Sequence, residues 1–484
     1  MRPQAWALWV VALFVCGVFA LAWWAFAFPL TYCDSPAWAP AYLTRLLSLG
    51  APLQVAARGV LVPAWFATWG ELSLATGAAN AIGAAQGALL LAAVLAVLRF
   101  VQRGATLAEL LVAPAFALAG LRHAVYAQTI LSESLAVGLA LPVALLLLRE
   151  RAPSLRLSAA LGALAALATG ARAESLLLLL LLLARLAAER APWRERAQRL
   201  GVALATAALV LGALTLLTPT ERGAPINKSV VVAEWMRFSQ PPHNPLASAL
   251  HSELADQLVV ATAAAPVRDV YGGLEASRRL FVGPDAPGWP EILRLLAYQA
   301  ANRPLVVFAD RLGTLGDLWA SGYAAFWPGY RAWSPYYSPY DQVFARWRQA
   351  DFDEARSSCP VFAQAQAARY RRAAVRSPAA FAALRALHTA AEPYARWPLR
   401  FLFWAAVPAS LVVLGRRSAG GPYLWLTLLV WGQLAARATF TPADERYELP
   451  VDLLALAWLS LTLRHSLPAA AAIASPADSP RSGS

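Results

Sequence analysis

Residues 157–186 read LSAALGALAALATGARAESLLLLLLLLARL, an apolar run interrupted near its middle by two charges, Arg172 and Glu174. As a single helix it would extend about 45 Å, well beyond the roughly 30 Å hydrocarbon core of a bilayer. It would also carry both charges into the centre, where they are costly. The stretch TGARAES, with Gly170 ahead of the charges, therefore divides the run into a helical hairpin over 157–171 and 173–188.

The rest of the chain has the same character. Of 484 residues, 59% are hydrophobic and 14% charged, against about 25% charged in ordinary soluble domains. Mean hydropathy is +0.49. Beside the hairpin, apolar runs lie at about 5–30, 74–98, 107–121, 129–148, 199–218, 398–415, 421–438 and 447–463. The expected fold class is an all-α polytopic membrane protein with about ten transmembrane helices. The first run, AWALWVVALFVCGVFALAWWAFAFPL, is too long for the apolar core of a signal peptide and reads as a retained span.

The net charge of +13 suggests nucleic acid at first sight, but the basic residues stand at the ends of the apolar runs. That is the positive-inside pattern of a membrane protein, and no nucleic-acid partner is expected. One set of loops holds Arg2, Arg99, Arg103, Arg149, Arg151, Arg156, the group from Arg185 to Arg199, Arg416, Arg417 and Arg464. The short loops of the other set hold only Arg45, Arg58, Arg122, Arg172 and Arg446. The first set is expected to be cytoplasmic, with both termini inside. Lys228 is the only lysine, which points to a GC-rich bacterial genome and a cytoplasmic (inner) membrane. Cys16 lies inside a span, leaving Cys33 and Cys359 as the one pair that a disulfide could join.

This gives four parts: an N-terminal membrane module over 1–218 with an outer loop at 31–73, an extracytoplasmic region over 219–397, membrane spans over 398–465, and a disordered cytoplasmic tail over 466–484. The loops facing outward carry FPLTYCDSPAWAPAYLTRLLSLG, RHAVYAQTILSES, TGARAES and TPADERYELP. Each admits two readings. Asp34 is a helix N-cap before Pro36, or a carboxylate desolvated near the interface and suited to act as a base. Glu133 is a helix-start carboxylate favoured by the dipole, or a site residue sharing an environment with Arg122, His123 and Tyr126. Arg172 pairs with Glu174, or offers a fork to phosphate. Arg446, beside Tyr447, snorkels or does the same. Residues 319–347 hold eleven aromatics, including Trp327, Tyr330, Trp333 and Tyr336. They form an interfacial belt, or a platform for sugar faces or a polyprenyl chain. An outward cleft with carboxylates and arginines at headgroup depth suits a substrate with an anionic head and an apolar tail. The sequence contains no P-loop, glycine-rich dinucleotide motif, HExxH or GxSxG.

In order and sidedness these motifs resemble the GT-C glycosyltransferases. The Asp34 loop with AYLTRLLSLG resembles their first outer loop, although Ser35 stands where many relatives have a second acid. YAQTILSESLAVGLALPVALLL is similar to their second outer loop, in the SES form of mannosyltransferases that build lipid anchors. The hairpin resembles their RPE hairpin, with RAE here, and ERYELPVDLLALAWL their RY-x-x-P span. The resemblance implies an inverting transfer of a sugar from a polyprenyl-phosphate donor to a hydroxyl of a lipid, glycan or protein acceptor in the cell envelope. Asp34 would be the base. Arg172, Arg446, Arg122 and Tyr447 would bind the donor phosphate. Glu133, with His123, would orient the donor or hold a divalent cation, Mg²⁺ or Mn²⁺.

Two other classes fit the composition. A transporter or flippase of a lipid-linked or anionic substrate would place polar groups near the midplane in paired halves. Another membrane glycan transferase or ligase would use His and Arg of the large outer region, where His243 and His251 stand.

Overall fold

The computed structural model describes residues 5–27, 39, 59–76, 80–101, 107–130, 132–148, 152–218, 231, 235, 288–302, 304–309, 311–312, 376–394, 398–415, 420–440 and 449–466. Asp34, Arg446, Tyr447, Trp327, Tyr330, Trp333, Tyr336, Cys33, Cys359 and the tail from 467 lie outside them. The principal elements are α1 (Ala5–Ala25), α2 (Leu61–Thr76), α3 (Ala81–Val101), α4 (Leu107–Tyr126), α5 (Ser132–Leu147), α6 (Leu155–Ala171), α7 (Leu176–Ala187), α8 (Trp193–Leu217), α9 (Trp289–Asn302), α10 (Pro378–Tyr394), α11 (Arg400–Gly415), α12 (Gly420–Phe440) and α13 (Leu449–Ser466). No strand occurs among the described residues, which are mostly helical.

A helix overlies each of the ten apolar runs. Two of these helices, Ala81–Val101 and Trp193–Leu217, are long and apolar enough to cross a membrane. The first of them starts later than the run at 74–98 suggests, because residues 74–76 finish α2. Its start is fixed by Asn80, which adopts a left-handed backbone (φ 51°) and accepts a hydrogen bond at Oδ1 from Gly83 N (2.8 Å). Asn is among the few non-glycine residues that tolerate this conformation and cap a helix well.

The hairpin breaks where its charges require. α6 ends at Ala171, Arg172 turns to extended backbone (φ −151°, ψ 126°), and Ala173–Ser175 form one 3-10 turn before α7 begins at Leu176. α8 then packs back along α6. Thr206 Oγ1 donates to Ala159 O at 3.1 Å across that contact, and Gly162 meets the backbone of Ala203 with no room for a Cβ.

α13 lies at the centre. It packs against α3, α4, α5, α11 and α12, and its residues from Val451 to Ser460 are all buried, with Trp458 the bulkiest fully buried side chain. Polar side chains pin it to α12: the Trp458 indole N–H donates to Thr427 Oγ1 (3.1 Å), and Tyr423 Oη lies 2.7 Å from Thr462 Oγ1. From the region between 219 and 397, α10 packs on α1, where Phe381 meets Phe26 edge-on (6.1 Å) and Arg376 N donates to Ala25 O (2.8 Å).

The two ends of the bundle differ. At one, Arg199 bridges Glu189 (3.0 Å) and Glu195 (2.9 Å), and Arg464 donates to Val101 O (2.8 Å). The other gathers the polar termini of α3, α4, α5, α6, α12 and α13. Between them the outer face is apolar: in α8, Leu209 is 72% and Leu216 87% exposed, and Trp9, Leu13, Phe401 and Leu411 are exposed on other helices.

The α6–α8 contact predicts that Gly162→Ala, which forces the backbones apart, lowers stability by about 1–3 kcal/mol. Gly201→Ala, whose Cβ meets open space, is the matched control. Thermal unfolding in detergent should show a lower midpoint for the first substitution only; equal midpoints would contradict the close contact.

Candidate functional site

The polar end is built from charges brought together from across the chain. Arg122, in the last turns of α4, places Nη1 2.6 Å from Asp452 Oδ2 in the first turn of α13, 330 residues away in sequence. Both side chains are buried, Arg122 to 1% exposure. The guanidinium also stands 5.8 Å from the Tyr126 ring centroid. A buried ion is tolerable only when paired and hydrogen-bonded, so this contact fixes α4 against α13.

The RHAVY segment is thus helical, not a loop. No Gly or Pro occurs from Leu121 to Ala127, and Asp452 compensates the charge that would otherwise expel Arg122 from the helix packing. His123 is fully buried beside the pair, with Nε2 4.0 Å from Asp452 Oδ2. Neither of its ring nitrogens has a hydrogen-bond partner among the described residues.

A second group centres on Arg172. Its Nη1 is 2.5 Å from Glu133 Oε1, and its Nη2 is 2.8 Å from Glu174 Oε1. Ser132 Oγ accepts from Arg172 Nη1 (3.3 Å) and donates to Glu133 Oε2 (3.3 Å). Burial pushes the Glu174 carboxyl up, but Arg172, with a smaller contribution from Arg437, outweighs it and holds the group at about 2. Arg437, buried in the last turns of α12, donates to Gln433 Oε1 (3.2 Å) and acts electrostatically on both Glu174 and Asp452. It links the two groups into a series of arginines and carboxylates: Arg122, Asp452, Arg437, Glu174, Arg172 and Glu133.

The loop before Glu133 is held by α3. Gln86 Nε2 donates to Ala127 O (3.0 Å) and Thr129 O (2.9 Å), and Asn80 Nδ2 to Gln128 Oε1 (2.5 Å). These bonds satisfy loop backbone that lies buried between helices, as buried polar groups require. They also fix where α5 begins, and so where Glu133 stands.

Four of the expected site residues, Arg122, His123, Glu133 and Arg172, therefore meet at one end. Both arginines face carboxylates: Arg172 makes the expected pair with Glu174 and a further one with Glu133. Of the two residues expected to orient the donor or hold a cation, Glu133 is paired with Arg172, and His123 lies against the Arg122–Asp452 pair. Among the described residues no group of three or more His, Cys, Asp or Glu side chains gathers as metal ligands would. Asp452 and Arg437 were not singled out by the sequence reasoning. The signal for Asp452 was a lone charge inside an apolar run, which in such a setting faces a partner.

Compared with protein-family profiles, curated proteins and solved structures, the chain matches none.

Two measurements follow from the geometry. Arg122→Met and Asp452→Leu should each destabilise by about 3–5 kcal/mol, since each strands a buried charge. The double variant should cost about 1–3 kcal/mol less than their sum. Additive losses in detergent unfolding would show that the two groups are not coupled.

Glu174 gives a pH dependence. Its folded pKa lies below the unfolded value of about 4.3, so its stabilisation is present above that pH and is lost as pH falls towards about 2. The stability difference between the native chain and Glu174→Gln should be constant above pH ~5 and shrink below pH ~4. A difference that grows on acidification would contradict the pairing with Arg172.

Proposed function

We propose that this chain is a multi-pass membrane enzyme of the GT-C type, which moves a sugar from a polyprenyl-phosphate donor to an acceptor hydroxyl at the outer face of a bacterial cytoplasmic membrane. The observation that carries it is the meeting of RHAVY, SES and ARAES residues at one end of an apolar-surfaced helix bundle. The membrane part is supported by the exposed leucines of α8, by ten apolar runs and by the arginine asymmetry of their loops. Apolar side chains facing out and paired charges facing in suit a lipid solvent.

In this mechanism Asp34 takes the acceptor's hydroxyl proton. The acceptor oxygen then attacks the anomeric carbon from the face opposite the phosphate. The bond from that carbon to the phosphate oxygen breaks with its electron pair, the configuration inverts, and the proton stays on Asp34. Polyprenyl phosphate leaves with added negative charge, so a guanidinium beside it stabilises the transition state more than the ground state. Of the two described arginines expected at the phosphate, Arg172 is the more open, at 10% exposure, and its fork can exchange a carboxylate for the phosphate. Arg122 is a positioning residue that holds α4 against α13. Arg446 and Tyr447 would approach the donor from the segment before α13.

A second reading, a transporter or flippase of the same lipid-linked substrate, is favoured by the Arg122–Asp452 pair, because ionisable groups inside an apolar bundle often mark a translocation path.

The test supplies membranes with radiolabelled polyprenyl-phosphate sugars and an extract of native acceptors. The native chain should transfer label, and Asp34→Asn, at equal expression, should lose about 100-fold or more, as loss of a general base does. Full transfer by the variant would remove Asp34 as the base. Absence of transfer by both, with accelerated flipping of the lipid-linked sugar, would favour the transporter.

A further inference from the structure

The amphipathic segment at 289–312 stands apart from the bundle's own packing. α9 turns Ile292, Leu296 and Gln299 inward, and Val307 continues that buried side. One flank of α9 exposes Trp289 and Leu293, the other Tyr298, and farther along the chain Leu305 (80% exposed), Phe308 (65%) and Leu312 are exposed. Large apolar side chains as exposed as Leu305 and Phe308 mark a surface that meets something other than water.

Where the segment sits is fixed through Trp235. The indole N–H of Trp235 donates to Thr439 O (2.8 Å), in the last turn of α12 and two residues beyond the buried Arg437. Gln299 Nε2 reaches Trp235 O at 3.4 Å, and the Arg311 guanidinium lies 5.6 Å from the Trp235 ring centroid. The segment is therefore tied to the polar end of the bundle, at the level where apolar helix surface gives way to charge. Exposed Trp289, Tyr298 and Arg294 are residue types that settle at lipid headgroups.

We propose that the 289–312 segment is a membrane-surface element, whose exposed side of Trp289, Leu293, Leu305, Phe308 and Leu312 rests in the headgroup–acyl boundary of the outer leaflet. Its partner is a phospholipid bilayer surface, taken up as an amphipathic helix takes it, with apolar side chains sunk among the acyl chains. This rests on the membrane-spanning part of the function proposed above, but not on glycosyl transfer. It places the lipid surface directly beside the Arg437–Glu174–Arg172 series.

The test uses the full chain with its three cysteines replaced, reconstituted in nanodiscs of phosphatidylethanolamine and phosphatidylglycerol. Nitroxide labels are attached at Leu305→Cys or Phe308→Cys, with Leu209→Cys on α8 as the reference for a spanning helix. Both surface labels should collide several-fold more often with oxygen, which concentrates in lipid, than with a water-soluble nickel chelate. Their depth should be shallower than that of the α8 label. The proposal is overturned if the surface labels favour the nickel chelate while the α8 label stays in lipid. It is equally overturned if they are inaccessible to both reagents, which would mean that another part of the chain covers them. An α8 label that favours the nickel chelate would instead refute the membrane-spanning reading itself.

Discussion

A guanidinium enclosed by apolar helices has to meet a carboxylate, and the polar end of this bundle is organised by that constraint. Arg122 cannot remain at 1% exposure without Asp452, which requires α4 and α13 to come together at one depth. Arg172 cannot close the α6–α7 turn without Glu133 and Glu174, which brings in α5. Arg437 adds α12 between them. Removing a single partner would leave a charge whose desolvation nothing offsets.

The same series carries the functional argument. Three arginines and three carboxylates alternate through it, so its charge is already balanced by the protein's own side chains. On the function proposed above, an anionic head arriving there would exchange partners with a carboxylate instead of filling a bare positive pocket. Arg172 suits that exchange: it is shared by two carboxylates and is the more exposed of the two described arginines expected at the donor. Arg122, sealed behind α13, does not. Burial thus separates the two arginines, Arg122 at 1% exposure and Arg172 at 10%.

Much of the helical framework was legible in the sequence. Apolar runs of helical length reported where helices lie, and the paired charges in TGARAES reported the turn between α6 and α7 because a continuous helix would have buried both at its centre. The gathering of RHAVY, SES and ARAES was legible from loop sidedness. Contacts between distant residues were not. Nothing local to Asp452 names Arg122 as its partner, and Arg437 reads as one more basic residue at a helix end. The clamp of Asn80, Gln86 and Gln128 around the α4–α5 loop was equally hidden, because amides in an apolar context carry no period and acquire meaning only when backbone needs hydrogen bonds. The helical state of Arg122 and His123 followed from that same unseen pairing.

The central claim, that the Arg172 end of the bundle receives a lipid-linked anionic head, is tested most directly by photocrosslinking. A polyprenyl-phosphate sugar bearing a diazirine close to the phosphate would be incorporated into membranes with the native chain, irradiated, and its attachment sites mapped by mass spectrometry. Labelling is expected within 122–134 and 172–175, suppressed by unlabelled donor. Labelling confined to the opposite end, around Arg185 to Arg199, or labelling indifferent to competitor, would contradict it.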